Sequence, residues 1–426
     1  MTIAIFLGSL LGTMAIGTPV AYSLLLAGMA LMLHLDLFDA QIIAQNIING
    51  ADSFALMAVP FFLLAGEIMN TGGLSRRIVN VAMVVVGHVK GGLGYVAIIA
   101  GCLLAALSGS AVADAAALSA LLMPMMIQAG HKKNTSAGLV AAAGCIGPII
   151  PPSIGFIIFG VAGGVSITKL FLAGIVPGLL IGAGLAFAWW WTVRKEDITP
   201  PPKSSSKEFS RALVSGVWAL MLPVIIIVGL RFGVFTPTEA AVVAVVYSLF
   251  VSMFIYKELS IADLYDVLLA TVKMSAVVMF LIAAALVSAW LITIADVPGS
   301  IVSLLGPFMD NPMLLMGVII GLVVLVGMTM DMIPIILILT PVLLPVIKQA
   351  GIDPVYFGVV FIVTCSIGLI TPPVGSVLTV VRGVSRLSMD DMMKGVWPFL
   401  LAELIVLALL ILFPGVVMVP AKWFIG

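Results

Sequence analysis

Ser108, Gly109, Ser110 and Asp114 interrupt one apolar stretch of this chain, and Gly327, Thr329 and Asp331 interrupt another. Downstream of each cluster lies a Pro-Pro pair in apolar sequence: GCIGPIIPPSIGFIIFG around Pro151-Pro152, and CSIGLITPPVGSVLTVV around Pro372-Pro373. Proline lacks an N–H and frees a carbonyl one turn back. Each pair is therefore expected to break a helix and bare carbonyls, around Gly147, Pro148 and Ile150 in the first and Gly368, Ile370 and Thr371 in the second. Carbonyls and hydroxyls are hard oxygen ligands, and half-helix C-terminal ends carry partial negative charge. That chemistry suits Na⁺, while the half-helix N-termini that follow the breaks, at Ser153 and Gly155 and at Gly375 and Ser376, suit an anionic substrate group. Small residues that let helices pack closely are the plain alternative for a lone Ser. Repetition at two tips beside two breaks argues for ligands.

The remaining polar groups sort differently. Asp114 aligns with Ile335 and has no acidic counterpart, so a proton or hydrogen-bond role and simple local pairing both fit. Asp331 either binds or caps the following half-helix. Glu67, Glu239 and Lys273 fit interfacial positions, and Arg382 and Arg386 fit a cytoplasmic, positive-inside role. The three Cys sit in apolar segments without C-x-x-C spacing, and the three His are dispersed, which leaves redox and transition-metal chemistry without support. The Met-rich runs read as packing.

These residues belong to a sequence written twice. The Pro-Pro pair recurs 221 residues later, and the same register lays Pro345 on Pro124, Gln349-Ala350-Gly351 on Gln128-Ala129-Gly130, Gly395 on Gly174 and Pro398 on Pro177. Thr236-Pro237 falls on Thr18-Pro19 with a shift of three. Composition sets the class: 62% hydrophobic and 9% charged residues, with mean hydropathy +1.30, against roughly 25% charged in a soluble domain. The chain is expected to be an all-α polytopic membrane protein, and a net charge of zero gives no reason to expect a nucleic-acid partner.

Spans are expected near 3–33, 54–70, 135–165 (broken) and 170–192 in the first copy, and near 236–256, 274–294, 356–386 (broken) and 395–418 in the second. An apolar pair, 91–108 and 111–128, has its counterpart at about 312–347, turning near Met328–Asp331. The domains are then a first inverted repeat (1–194), a cytoplasmic linker with an additional connecting span (195–232, the span near 213–232), and a second inverted repeat (233–426). No Lys or Arg precedes Arg76, so the first apolar stretch reads as a retained span. Arg76, Arg77, Lys90, Lys132 and Lys133 flank the first apolar pair, whereas Asp296, Asp310 and Asp353 flank the second. Cytoplasmic loops collect Lys and Arg, so equivalent loops are expected on opposite sides, with a cytoplasmic N-terminus and a periplasmic C-terminus. Lys348 and Arg231 depart from that pattern. Trp189, Trp190, Trp191 and Trp423 fit interfacial belts. Each apolar pair could be a re-entrant hairpin or two full crossings, and charge leaves both open.

The stretches LSGSAVADAAALSALLMPMM, GPIIPPSIGFIIFG, PFFLLAGEIMNTGGLSRRI and the segment from Pro341 to Leu378 resemble the large membrane subunit, the M or DctM type, of tripartite ATP-independent periplasmic (TRAP) transporters. The resemblance covers essentially the whole chain. It implies an elevator-type fold of inverted repeats with two re-entrant hairpins and two broken helices in the bacterial inner membrane. It implies Na⁺-driven import of a carboxylate-bearing solute, with a periplasmic substrate-binding protein and a four-helix small membrane subunit carried on a separate chain. Carried over residue by residue, one ion site falls at Ser108, Gly109, Ser110 and the Gly147–Ile150 loop. The second falls at Gly327, Thr329, Asp331 and the Gly368–Thr371 loop. Substrate contacts would come from Ser108, Ser153, Gly155, Thr329, Gly375 and Ser376, with Na⁺ as coupling ion and no cofactor. Sugar acids such as sialic acid or diketogulonate fit best, and C4-dicarboxylates are the alternative. A standalone anion/Na⁺ symporter is the rival carrier. An enzyme is not expected: an intramembrane hydrolase at Ser108 or Ser110 with Asp114 lacks a base and leaves the duplication unexplained. An open channel suits the paired breaks less well than a closed midplane site.

Overall fold

Gly17 and Gly233 each close a helix in the left-handed region, at φ +89° and +67°. At both, two back-turned bonds cap the helix end: Gly17 N to Met14 O with Thr18 N to Thr13 O, and Gly233 N to Leu230 O with Val234 N to Gly229 O. A Thr-Pro pair then opens the next helix. In the computed structural model, which describes residues 2–194, 196, 198, 203 and 205–425, this motif begins each half. The side chains of Ile3, Ala106, Leu107, Ser108 and Ile425, and the remaining linker residues between 195 and 204, lie outside that description.

The first half runs α1 (Thr2–Ala15), α2 (Val20–His34), α3 (Ala40–Ala51), α4 (Ala58–Thr71), α5 (Leu74–Val86), α6 (Gly92–Ser108), α7 (Ala111–Gln128), α8 (Lys133–Gly144), α9 (Ile154–Gly163) and α10 (Ile167–Val193). The second runs α11 (Ser206–Arg231), α12 (Pro237–Phe250), α13 (Asp263–Ile294), α14 (Val297–Met309), α15 (Pro312–Gly327), α16 (Met332–Gln349), α17 (Pro354–Gly368), α18 (Ser376–Ser385), α19 (Met389–Leu412) and α20 (Gly415–Ile425). The described residues form an all-helical, multi-span membrane protein, with eight helical segments long and apolar enough to cross a bilayer.

Two expectations change here. The stretch 3–33 is not one span: α1 and α2 pack against each other across the Gly17 turn. The parity count behind a cytoplasmic N-terminus took this stretch as one span. The stretch 395–418 is also divided, at Phe413–Pro414, where α19 gives way to α20.

Polar contacts sort the loops into two ends. At one end Arg76 and Arg77 reach Glu258 at 2.9 and 2.8 Å, Lys90 Nζ donates to the Arg194 carbonyl at 3.1 Å, and His131 and Lys132 approach Glu196 at 3.6 and 3.9 Å. At the other end Thr238 Oγ1 donates to the Phe54 carbonyl at 3.0 Å. There too the Arg231 guanidinium lies 4.9 Å from the Trp423 ring, a cation–π contact that accounts for this departure from the charge pattern. Tyr356 OH bonds the Leu410 carbonyl at 3.0 Å, so α17 starts beside the end of α19, next to α20. Trp190 and Trp191 are exposed as interfacial residues should be, but Trp189 is fully buried and donates Nε1–H to the Gly91 carbonyl at 2.8 Å. It latches the base of the first hairpin instead of lying in a belt.

Candidate functional site

The α6–α7 and α15–α16 pairs are hairpins whose tips stop at the broken helices. Gly109, at φ +60°, turns the first tip so closely onto the first break that an added Cβ would lie 3.0 Å from both the Pro152 carbonyl oxygen and the Ile154 nitrogen. At the second tip a Cβ on Gly327 would lie 2.9 Å from the Gly368 Cα. Gly375 N also bonds the Met328 carbonyl at 3.2 Å across the same junction. Both tips thus meet the breaks partway along the paired segments α8–α9 and α17–α18. Non-helical backbone at that depth is tolerated because protein surrounds it.

The halves also exchange partners. α7 packs on α18 while α16 packs on α9, and α8 packs on α19 while α17 packs on α10. The result is one cluster built from two hairpins and two broken helices. Both Pro-Pro bonds, Pro151-Pro152 and Pro372-Pro373, are cis.

The predicted residues do not fall alike in the two halves. In the first, Gly147, Pro148, Ile150, Pro151, Pro152 and Ser153 are all buried. Asp114, 4% exposed, lies against Gly147. The Gly147 and Ile150 carbonyls accept no backbone bond among the described residues, whereas the Pro148 carbonyl accepts the Ser153 hydroxyl. Ser110 caps α7 through Ala113 N at 3.4 Å. The Ser108 side chain, expected in both ion and substrate roles, lies outside the described residues. Ser153 also caps α9 at Phe156 N, so its hydroxyl is committed to the fold, and Gly155 faces the Met332 side chain.

In the second half Gly327, Gly368, Ile370 and Thr371 are buried as well, and the difference lies at the tip. Thr329 and Asp331 are exposed. Thr329 Oγ1 donates to Val326 O at 3.0 Å, which leaves its lone pairs for a ligand. Asp331 occupies the N-cap position of α16 without a side-chain bond to the helix, so the capping alternative is not realised. The Gly368 carbonyl accepts Thr371 N at 3.0 Å, while the Ile370 carbonyl accepts no backbone bond among the described residues. Where Ser153 caps α9, α18 has Gly375 and no side-chain cap. The Ser376 hydroxyl beside it is buried with no hydrogen-bond partner among the described residues. The Gly375 and Val377 amides at this end already donate to the Met328 and Leu369 carbonyls, both at 3.2 Å, so it is the Ser376 hydroxyl that is left for an anion, and the oxygen-rich tip next to it can hold a small hard cation.

Residues 7–416 match the DctM component of tripartite ATP-independent periplasmic transporters. The chain belongs to that family. It is 56% identical over 423 residues to the 2,3-diketo-L-gulonate TRAP transporter large permease protein YiaN of Escherichia coli, covering 99% of this chain and 100% of that one. To the sialic acid large permease SiaM of Vibrio cholerae it is 37% identical, covering 98% and 97%. To the C4-dicarboxylate large permease DctM of Rhodobacter capsulatus it is 35% identical, covering 98% of both. The solved YdaH transporter of Alcanivorax borkumensis shares the fold, with TM-score 0.67 at 17% identity over 92% of this chain and 91% of that one. This DctM-type chain is thus a multi-pass large permease subunit, one component of a tripartite transporter.

One group in this DctM-type cluster escaped the sequence reading. Glu403 on α19 is 1% exposed, and neither carboxylate oxygen has a hydrogen-bond partner among the described residues. It lies near Cys145, in the first break. The signal was present: a lone acid within the apolar run Trp397 to Leu412, where an ionisable residue is costly and marks function by default.

Proposed function

We propose that this chain is the permease of a Na⁺-coupled importer of an organic acid of the sugar-acid class, delivered by a periplasmic binding protein and supported by a small membrane subunit. The observation that carries this reading is the second tip: exposed Thr329 and Asp331 stand beside an uncapped α18 N-terminus with the orphan Ser376 hydroxyl. Na⁺ between the tip oxygens and the bared carbonyls would order the site and offset the substrate's charge. The higher identity to the diketogulonate permease than to the C4-dicarboxylate permease supports a sugar acid. The two docked hairpins and broken helices would form the mobile element of an elevator, moving against a scaffold of α1–α5 and α11–α14.

The basic end is assigned to the cytoplasm of the bacterium by the positive-inside rule. With that assignment, the α1–α2 reversal supports a periplasmic N-terminus in place of the cytoplasmic one expected from the sequence. The C-terminal α20 stays periplasmic.

The test is uptake of sugar acids and C4-dicarboxylates into proteoliposomes. Uptake should require an inward Na⁺ gradient and both partners. Uptake by the chain alone would favour the standalone carrier, and uptake indifferent to Na⁺ would sink the coupling.

A further inference from the structure

α18 carries chemistry at both ends. Its inner face, Val377, Leu378, Val381 and Ser385, is buried, and the opposite stripe, Thr379, Arg382, Gly383 and Arg386, is exposed at helical spacing i, i+3, i+4, i+7. A stripe with two arginines does not face hydrocarbon, so this side of α18 meets water. Thr379, Arg382, Gly383, Arg386 and Leu387 line an open surface groove of about 500 Å³. Gly383 keeps it open, since nothing lies within 4 Å of a Cβ added there.

The charges in this groove are not spent on the fold. Elsewhere at the basic end, Arg76 and Arg77 are held by Glu258 and Lys132 by Glu196. Arg194 stacks on Trp191 at 3.5 Å. Among the described residues neither Arg382 nor Arg386 makes an ion pair. A positive-inside role needs charge only; it does not need two arginines four residues apart over a groove. Arginine forks bind carboxylates bidentately, and Arg386, the left-handed C-cap of α18, follows Arg382 by four residues along the same groove. The ten residues of α18 span about 15 Å, leading from the helix N-terminus at Ser376 to this groove.

We propose that Thr379, Arg382 and Arg386 form a second carboxylate-binding subsite, at the cytoplasmic mouth, which receives the organic acid as it leaves the tip site. This rests on the permease reading above. An anionic lipid headgroup offers the same chemistry to the same arginines, so the test separates the two sources.

The complete transporter is reconstituted with Arg382→Gln/Arg386→Gln and, as a folding control, Arg382→Lys/Arg386→Lys. The Gln pair should slow uptake by about tenfold, the loss expected for a charge-assisted bond, with the Na⁺ concentration for half-maximal uptake unchanged; the Lys pair should recover part of the rate. In parallel, phenylglyoxal labelling of the two arginines in phosphatidylcholine nanodiscs should be slowed by gluconate or succinate. Parental uptake by the Gln pair would overturn the subsite. So would protection that needs phosphatidylglycerol and not the acid, which marks a lipid site. Protection by the acid in a parent transporter that takes up no organic acid would instead reject the permease reading and keep the subsite.

Discussion

Ser366 donates its hydroxyl to the Cys145 carbonyl at 2.5 Å, and the two residues are counterparts, 221 positions apart in the two copies. The broken helices therefore cross at equivalent points, and one side chain ties them together. The bond is buried, and removing its donor leaves a carbonyl without a partner at about 1–3 kcal/mol. Ser366→Ala should lower the melting temperature of the purified protein in detergent while leaving it monodisperse. An unchanged melting temperature would mean the crossing is held by packing alone.

The Gly327–Gly368 approach gives a sharper test of docking. A methyl at Gly327 meets the Gly368 backbone at 2.9 Å, which neither segment can relieve with a rotamer change. Gly327→Ala should cost about 1–3 kcal/mol by overpacking and lower uptake at least about tenfold, the equivalent of 1.4 kcal/mol. Gly317, with nothing within 4 Å of an added Cβ, is the control. Equal uptake by both variants would show that the second tip does not need its seat.

Glu403 predicts a trade. A buried carboxyl without a hydrogen-bond partner destabilises the fold, so Glu403→Met, similar in volume, should raise the melting temperature. If the group is retained for transport, the same variant should lose uptake. A variant with parental uptake would reduce Glu403 to a tolerated defect.

His131 makes stability depend on pH. Burial against Trp189 lowers its pKa below the usual 6.5, in spite of the opposing pull of Glu196. The folded protein thus takes up this proton less readily than the unfolded chain does. The contribution is complete above 6.5 and is lost as pH falls below it toward the folded value. The melting temperature should decline between about pH 7 and about pH 5.5, and His131→Phe should flatten that decline. An identical profile in the variant would remove His131 from the explanation.

Much of this was legible in the residues. The duplication, the breaks at Pro151-Pro152 and Pro372-Pro373, and the two tips followed from spacing, because proline and small polar residues act locally on the backbone. The failures concern contacts between distant segments. Trp189 looks interfacial beside Trp190 and Trp191, and only the Gly91 carbonyl decides that it is buried. The division of 3–33 could have been read from Thr18-Pro19, which aligns with the Thr236-Pro237 start of a helix. Hydropathy hid it, because the Gly17 turn lies within apolar sequence. Which tip stands open is not written in the repeat; it follows from how the two halves pack.

The central claim is that the exposed second tip holds the coupling ion. The direct measurement is the Na⁺ dependence of uptake by the complete transporter bearing Thr329→Ala or Asp331→Asn. Both variants should need severalfold more Na⁺ for half-maximal uptake, with Asp331→Asn the more affected because it removes a charge. Parental Na⁺ dependence in both would contradict the account and move the ion elsewhere.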